Sequence, residues 1–128
     1  MAYGQEKEIK LLSTKAGRRK FFQLPLVKER IIPGSHHTLK LWNQYLDTRD
    51  RKLTRTGMAY RIRRINGKTF EATVKSQGKT VNGFSSREEY TVPLEKQEAV
   101  LAGFTPQLDQ KLQTLLQEDE LLPLCTVE

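Results

Sequence analysis

Asn66-Gly67 stands between two runs in which polar and apolar residues alternate. Before it, Arg61 and Arg63 alternate with Tyr60 and Ile62; after it, Glu71, Thr73 and Lys75 alternate with Phe70, Ala72 and Val74. Side chains on an extended strand point to opposite faces in turn, so each run has one charged and one apolar face. A two-residue type I′ turn needs positive φ at both central positions, which Asn and Gly tolerate best. The stretch therefore predicts an antiparallel hairpin, with strands over residues 58–65 and 68–75. Its apolar face must be covered, and 128 residues are enough for one domain that does so.

The rest of the chain supplies strands first and helices later. A first strand is predicted over residues 6–12, with Ile9 and Leu11 opposite its charged side. Ser13 or Thr14 caps a helix over residues 15–23, and Pro25 interrupts the chain beyond it. Ile31-Ile32-Pro33-Gly34-Ser35 reads as a turn and His36-His37 as loop residues, because neighbours on a strand diverge and cannot easily share a metal. A second strand spans residues 38–47, and residues 48–52 form a polar connection. Residues 76–83 read as a loop. A fifth strand over residues 84–92 ends at Pro93. Helices come next over residues 95–102, closed by Gly103, and over residues 105–117, with Thr105-Pro106 as cap and first position. Leu108, Leu112, Leu115 and Leu116 recur at helical spacing there and should dock on the sheet. Residues 121–128 begin another strand. The fold class is α+β: an antiparallel sheet with helices on its apolar side.

The net charge of +7 favours anionic partners, whether phosphate compounds, nucleic acid or acidic lipid. No window of about 18 apolar residues exists, so neither a membrane span nor a membrane partner is expected. The first residues lack an apolar signal core. Cys125 is the only cysteine, which excludes an intrachain disulfide, favours the cytoplasm, and leaves Cys125 as an expected apolar core residue.

The charged faces agree with one another. Glu6, Glu8 and Lys10 share one side of the first strand, Arg61 and Arg63 one side of the third, Lys75 lies on the fourth, and Arg87 and Glu89 on the fifth. A sheet with one solvated face accounts for the alternation without any ligand. A dense basic face studded with carboxylates also suits a polyphosphate held with divalent metal: cations bind the oxygens and carboxylates hold the ion that bridges them. The same carboxylates repel a nucleic-acid backbone. Trp42 and the scattered Tyr and Phe residues are better read as core than as base-stacking platforms.

These motifs, in this order, resemble the CYTH domain, or triphosphate tunnel metalloenzyme family. Glu6-x-Glu8-x-Lys10 matches its opening strand, Tyr45-Leu46-Asp47-Thr48 the end of its second strand, and Gly57-Met58-Ala59-Tyr60-Arg61-Ile62-Arg63 its third. Lys75 and Arg87-Glu88-Glu89-Tyr90 match the family's next basic residue and its Arg-x-Glu strand. The resemblance implies an antiparallel β-tunnel with a charged lumen and helices outside, closest to bacterial inorganic triphosphatases. It implies metal-dependent hydrolysis of tripolyphosphate, thiamine triphosphate or a nucleoside triphosphate. Glu6, Glu8 and Glu89 would hold Mg²⁺ or Mn²⁺, and Lys10, Arg61, Arg63, Lys75 and Arg87 would bind phosphate. No residue is assigned to activating water. A non-catalytic polyphosphate or nucleotide receptor, or a class IV-type adenylate cyclase, is the alternative. The pattern departs from the family at Thr91, where many relatives carry a second acid. The family's later strands, with another Arg, an Asp-x-Gly segment and a Glu-x-Glu pair, have no match, so the single domain over residues 1–128 is expected to be an incomplete tunnel. Its open edge strands would favour a homodimer.

Overall fold

The computed structural model describes residues 2–9, 11–76 and 78–128. Its strands are β1 (Ala2–Glu8), β2 (Leu41–Asp47), β3 (Ala59–Ile65), β4 (Thr69–Lys75), β5 (Lys79–Val81), β6 (Phe84–Leu94) and β7 (Leu122–Val127). Its helices are α1 (Lys15–Gln23), α2 (Pro25–Arg30), α3 (Lys52–Arg55) and α4 (Pro106–Leu116). The strands form one antiparallel sheet in the order β1-β6-β4-β3-β2-β7, with β5 paired to β6. Among the described residues, β1 and β7 are the two ends of this order and do not pair with each other, so the sheet is open. This is the antiparallel sheet that the alternation implies, and it is open, as the resemblance implies.

The β3–β4 hairpin forms where expected. Asn66 and Gly67 have φ of 50° and 69°, and the Lys68 amide donates to the Ile65 carbonyl at 3.0 Å. Ile65 faces Thr69, so the connection includes Lys68 as well. Asn66 also accepts from the Lys40 amide through its side chain at 3.0 Å, which extends the pairing of β2. A second Asn-Gly turn, Asn82-Gly83, has φ of 51° and 78° and joins β5 to β6 in register Val81 to Phe84. That hairpin lies where a plain loop is predicted.

The apolar face carries the core. Tyr60 and Ile62 of β3, Ala72 and Val74 of β4, Leu46 of β2 and Val92 of β6 are buried under Leu53, Phe104, Leu108, Leu112 and Leu116. Helix α4 supplies the last three at helical spacing, and Thr105 caps it by accepting from the Leu108 amide at 3.1 Å. Fully burying a leucine stabilises by roughly 1.5–3 kcal/mol, so this one helix covers the sheet effectively. Tyr60 braces the segment before α4. Its hydroxyl donates to the Val100 carbonyl and accepts from the Val100 amide, both at 2.8 Å.

Several expectations are corrected. Residues 95–102 are bends and irregular chain rather than a helix; Tyr60 takes both backbone groups of Val100, which a helix would need for its own ladder. The first strand ends at Glu8, short of the expected residue 12. The second begins at Leu41 rather than residue 38. β6 runs through Pro93; β1 pairs with β6 only as far as Thr91, and proline is tolerated beside an unpaired edge. Residues 52–55 form α3, a short helix within and beyond the predicted connection. Cys125 is exposed rather than in the core, because β7 is an edge strand whose six residues are all exposed.

Helix α3 exists because of Asp47. This residue is 1% exposed, and its carboxylate accepts from the Thr48, Leu53 and Thr54 amides at 2.8, 2.9 and 3.0 Å and from the Thr54 hydroxyl at 2.7 Å. Burial pushes its pKa up, but these four donors outweigh it and hold the group below 3.8. Asp47→Ala should therefore cost about 2–4 kcal/mol in urea unfolding. The contribution is complete above pH 3.8 and is lost as pH falls through the depressed folded value. The gap between wild type and variant should thus narrow in strong acid; an equal gap at all pH values would remove the charge from this account. Tyr60 gives the opposite sign. Burial pushes its phenol from 10.0 up to about 12, against the Val100 hydrogen bond. Its contribution is complete below pH 10.0 and fades as pH rises to about 12. Ultraviolet titration should show one late phenol that Tyr60→Phe abolishes.

Candidate functional site

In an antiparallel ladder, residues directly opposite share a face. The register therefore builds rows across the charged side of the sheet. One row runs Thr91, Thr73, Arg61, Tyr45 and Cys125. A second runs Gly4, Glu89, Lys75 and Ala59, and a third pairs Glu6 with Arg87. On the other side of the Arg61 row lie Glu71, Arg63, Asn43 and Val127. Successive rows are roughly 6.5–7 Å apart. Five of the eight expected site residues, Arg61, Arg63, Lys75, Arg87 and Glu89, thus lie on the same face of three neighbouring strands.

Arg61 is the centre of this face. It is 4% exposed, directly behind Tyr60, which faces the core. Its Nη2 lies 3.3 Å from Thr73 Oγ1 and 3.7 Å from Glu89 Oε1. Lys75 Nζ reaches the other Glu89 oxygen at 3.5 Å. Glu89 is thus shared between two cations. The Arg61 Nε donor is buried without an acceptor, and among the described residues it is the one buried side-chain polar atom in that state. Leaving a buried charged donor unpaired costs more than about 1–3 kcal/mol, so such an atom calls for an explanation.

Arg63 lies one row away. Its Nε donates to Asn43 Oδ1 at 2.7 Å. Burial lowers its pKa and the Arg61 charge lowers it further, against the pull of Glu71, Tyr45 and Glu89. Two guanidinium groups are thus held near each other and partly out of water, with one carboxylate, Glu89, paired to Arg61 and Lys75. The arrangement is preorganised for an anion with several oxygens.

Three groups in this network were not picked out as site residues from the sequence. Asn43 orients Arg63 and also donates to the Val127 carbonyl at 3.2 Å, tying β7 to the site. Thr73 and Thr91 share a hydrogen bond at 3.0 Å beside Arg61; Thr91 so occupies the place where an acid would otherwise sit. The alternation Leu41, Asn43, Tyr45, Asp47 along β2 could have flagged Asn43, because it repeats the face rule of β3. Gly78 packs against β6: a Cβ there would meet Arg87 Cβ and the Ser86 carbonyl oxygen at 3.1 Å and Arg87 Nε at 3.2 Å.

The acidic set is more dispersed than expected. Glu8 is half-buried and faces Ser85 in backbone register, four residues along β6 from Glu89, or roughly 13 Å. Glu6 stands between them opposite Arg87, and its side chain and Lys10 fall outside the described residues. Among the described residues no group of three or more His, Cys, Asp or Glu side chains is placed to hold a metal ion. The donor chemistry still fits a hard divalent cation, since Glu8 offers carboxylate oxygen on the wall next to the basic rows.

Comparison with known proteins agrees with this layout. The CYTH domain model matches residues 4–128. An inorganic triphosphatase from Haemophilus influenzae is 36% identical over 107 residues, covering 80% of this chain and 29% of that protein. A Hippeastrum protein described as an adenylyl cyclase with a dominant triphosphatase activity superposes with a TM-score of 0.52 at 22% identity, over 92% of this chain and 51% of its own. A Bacillus halodurans protein described as an adenylate cyclase gives 0.53 at 21% identity, over 98% of this chain and 64% of its own. The chain thus spans under a third of the curated relative's length. At these identities the two structures establish the shared fold.

The Gly78 contact yields a direct check. Gly78→Val should crowd both Arg87 and the Ser86 carbonyl and weaken tripolyphosphate binding several-fold in calorimetry, and Arg87→Ala should do the same without the backbone strain. Unchanged affinity would remove Arg87 from the anion-binding face.

Proposed function

Because the chain belongs to the CYTH domain family, we propose that it forms the anion-binding wall of a metal-dependent triphosphatase acting on inorganic triphosphate or a related organic triphosphate. The observation that carries this reading is the buried Arg61, whose Nε has no acceptor while Arg63 beside it is destabilised as a cation by burial and by Arg61 itself. A polyphosphate oxygen would satisfy the first and offset the second. The name of the Haemophilus influenzae relative, an inorganic triphosphatase, points the same way.

In this proposal Arg61 and Arg63 grip phosphate oxygens from β3, and Lys75 and Arg87 do so from β4 and β6. Lys10 would extend the same charge beyond β1. Glu6 and Glu8 would hold Mg²⁺ or Mn²⁺. Such an ion, when bound, neutralises phosphate charge and polarises the phosphorus under attack. Glu89 is the third acid of the expected metal set; its carboxylate bridges Arg61 and Lys75 and so holds both side chains in position. The clustered cations stabilise charge as it builds on the leaving phosphate oxygens.

The test is phosphate release from tripolyphosphate, thiamine triphosphate and ATP with Mg²⁺ or Mn²⁺, on the 128-residue chain and on any longer form of the protein. The ATP arm also measures cyclic AMP, which would reveal a cyclase instead. Metal-dependent phosphate release is expected, and tight tripolyphosphate binding without turnover would mark a receptor. Arg61→Ala should weaken tripolyphosphate binding by roughly 10- to 100-fold, the effect of losing a charged hydrogen bond. Unaltered calorimetric affinity in a folded variant would sink the assignment of this face.

A further inference from the structure

The positive charge of this protein has an address. Residues 9–40, between β1 and β2, hold eight Lys and Arg residues and one acidic residue, Glu29. Their excess of seven equals the net charge of the whole chain, +7, so the remainder is balanced. Basic residues are scattered along the sequence; it is the acidic ones that avoid this segment.

The segment also stands apart structurally. Helices α1 and α2 pack on each other, and among the described residues neither packs on any strand. Neither helix has a buried residue. At their junction Phe21, Leu24 and Leu26 are exposed, with Leu24 donating its amide to the Phe21 carbonyl at 3.2 Å. Exposed Arg18, Arg19 and Lys20 precede this apolar corner and exposed Lys28 comes after it. Phe22 is turned away, stacked on His36 at 4.4 Å.

We propose that this corner docks on an anionic phospholipid surface. Exposed aliphatic side chains at the junction of two helices, with exposed cations before and after them in the chain, match the boundary between headgroups and acyl chains. Nucleic acid would use the cations but leaves Leu24 and Leu26 without a role, and an acidic protein would leave the projecting apolar corner needing a matching groove. No helix among the described residues is long and apolar enough to cross a membrane; the docking is peripheral. It departs from the expectation of no membrane partner, and it does not depend on the triphosphatase reading.

The test is co-sedimentation of the whole chain with vesicles of pure zwitterionic lipid and with vesicles containing about 30% anionic phospholipid, at low and high salt. Binding to anionic vesicles alone, weakened by salt, is expected. Each Lys or Arg near such a surface contributes severalfold, so R18Q/R19Q/K20Q should lower partitioning on the order of a hundredfold. L24S/L26S should also reduce it severalfold while leaving tripolyphosphate affinity unchanged. The proposal is overturned by equal partitioning to both vesicle types, by binding that neither variant alters, or by absence of vesicle binding. Absence of binding together with a dimer in light scattering, or with tight RNA binding lost in R18Q/R19Q/K20Q, would assign the corner to a second copy or to nucleic acid.

Discussion

Tyr60 and Arg61 are neighbours that face opposite sides of β3, and the molecule is organised by that opposition. Tyr60 is fully buried under α4 and braces Val100; Arg61 is almost as deeply buried on the other side. A strand can bury an aromatic and a guanidinium back to back only if each side supplies what its residue needs. The apolar side does so with leucines and two hydrogen bonds to one backbone. The charged side does so incompletely, with a threonine and a shared carboxylate. The Arg61 Nε left without an acceptor on that side is a cost to the fold in the absence of a ligand. It is the kind of local inconsistency that marks a binding surface.

Most of the architecture derives from the period-two rule and was legible on that account. Arg61, Arg63, Lys75, Arg87 and Glu89 fall on one face by counting, and the register places them there. The hairpin at Asn66-Gly67 and the Thr105 cap were legible because their side chains act on their own backbone, within three or four residues. Asp47 was matched as a motif residue, but its work of holding α3 was not visible, because Leu53 and Thr54 lie six and seven residues away. The predicted helix over residues 95–102 failed for a related reason. Its local propensity was overruled by a hydroxyl 40 positions earlier, and no local pattern contains that information.

The acids divide differently from the cations. The basic residues lie on β3, β4 and β6, which sit side by side, whereas Glu6 and Glu8 lie on the end strand β1. Spacing along one strand shows that two carboxylates share a face. It does not show how far they are from a carboxylate on the next strand, which depends on register. Glu8 faces Ser85 and Gly4 faces Glu89, so a one-strand motif that looks like a compact ligand set is stretched along the ladder.

Charge balance joins these observations. Outside residues 9–40 the basic and acidic residues cancel, and on the charged face of the sheet carboxylates stand among the cations, Glu71 opposite Arg63 and Glu89 opposite Lys75. Glu89 is divided between Arg61 and Lys75, while Lys52 and Asp119 pair at 2.6 Å far from it in the fold. The field an incoming anion meets at short range is therefore set by which carboxylates share a row with which arginines. The segment between β1 and β2 adds a second, unbalanced source of attraction. At ionic strengths near physiological, fields of exposed charges decay within about 8 Å, so the exposed cations of α1 and α2 act at short range. Arg61 is buried and screened less by salt than exposed charges are, so anion binding there should fall less steeply with salt than binding to the exposed cations of α1 and α2. That difference separates the two surfaces experimentally without any substitution.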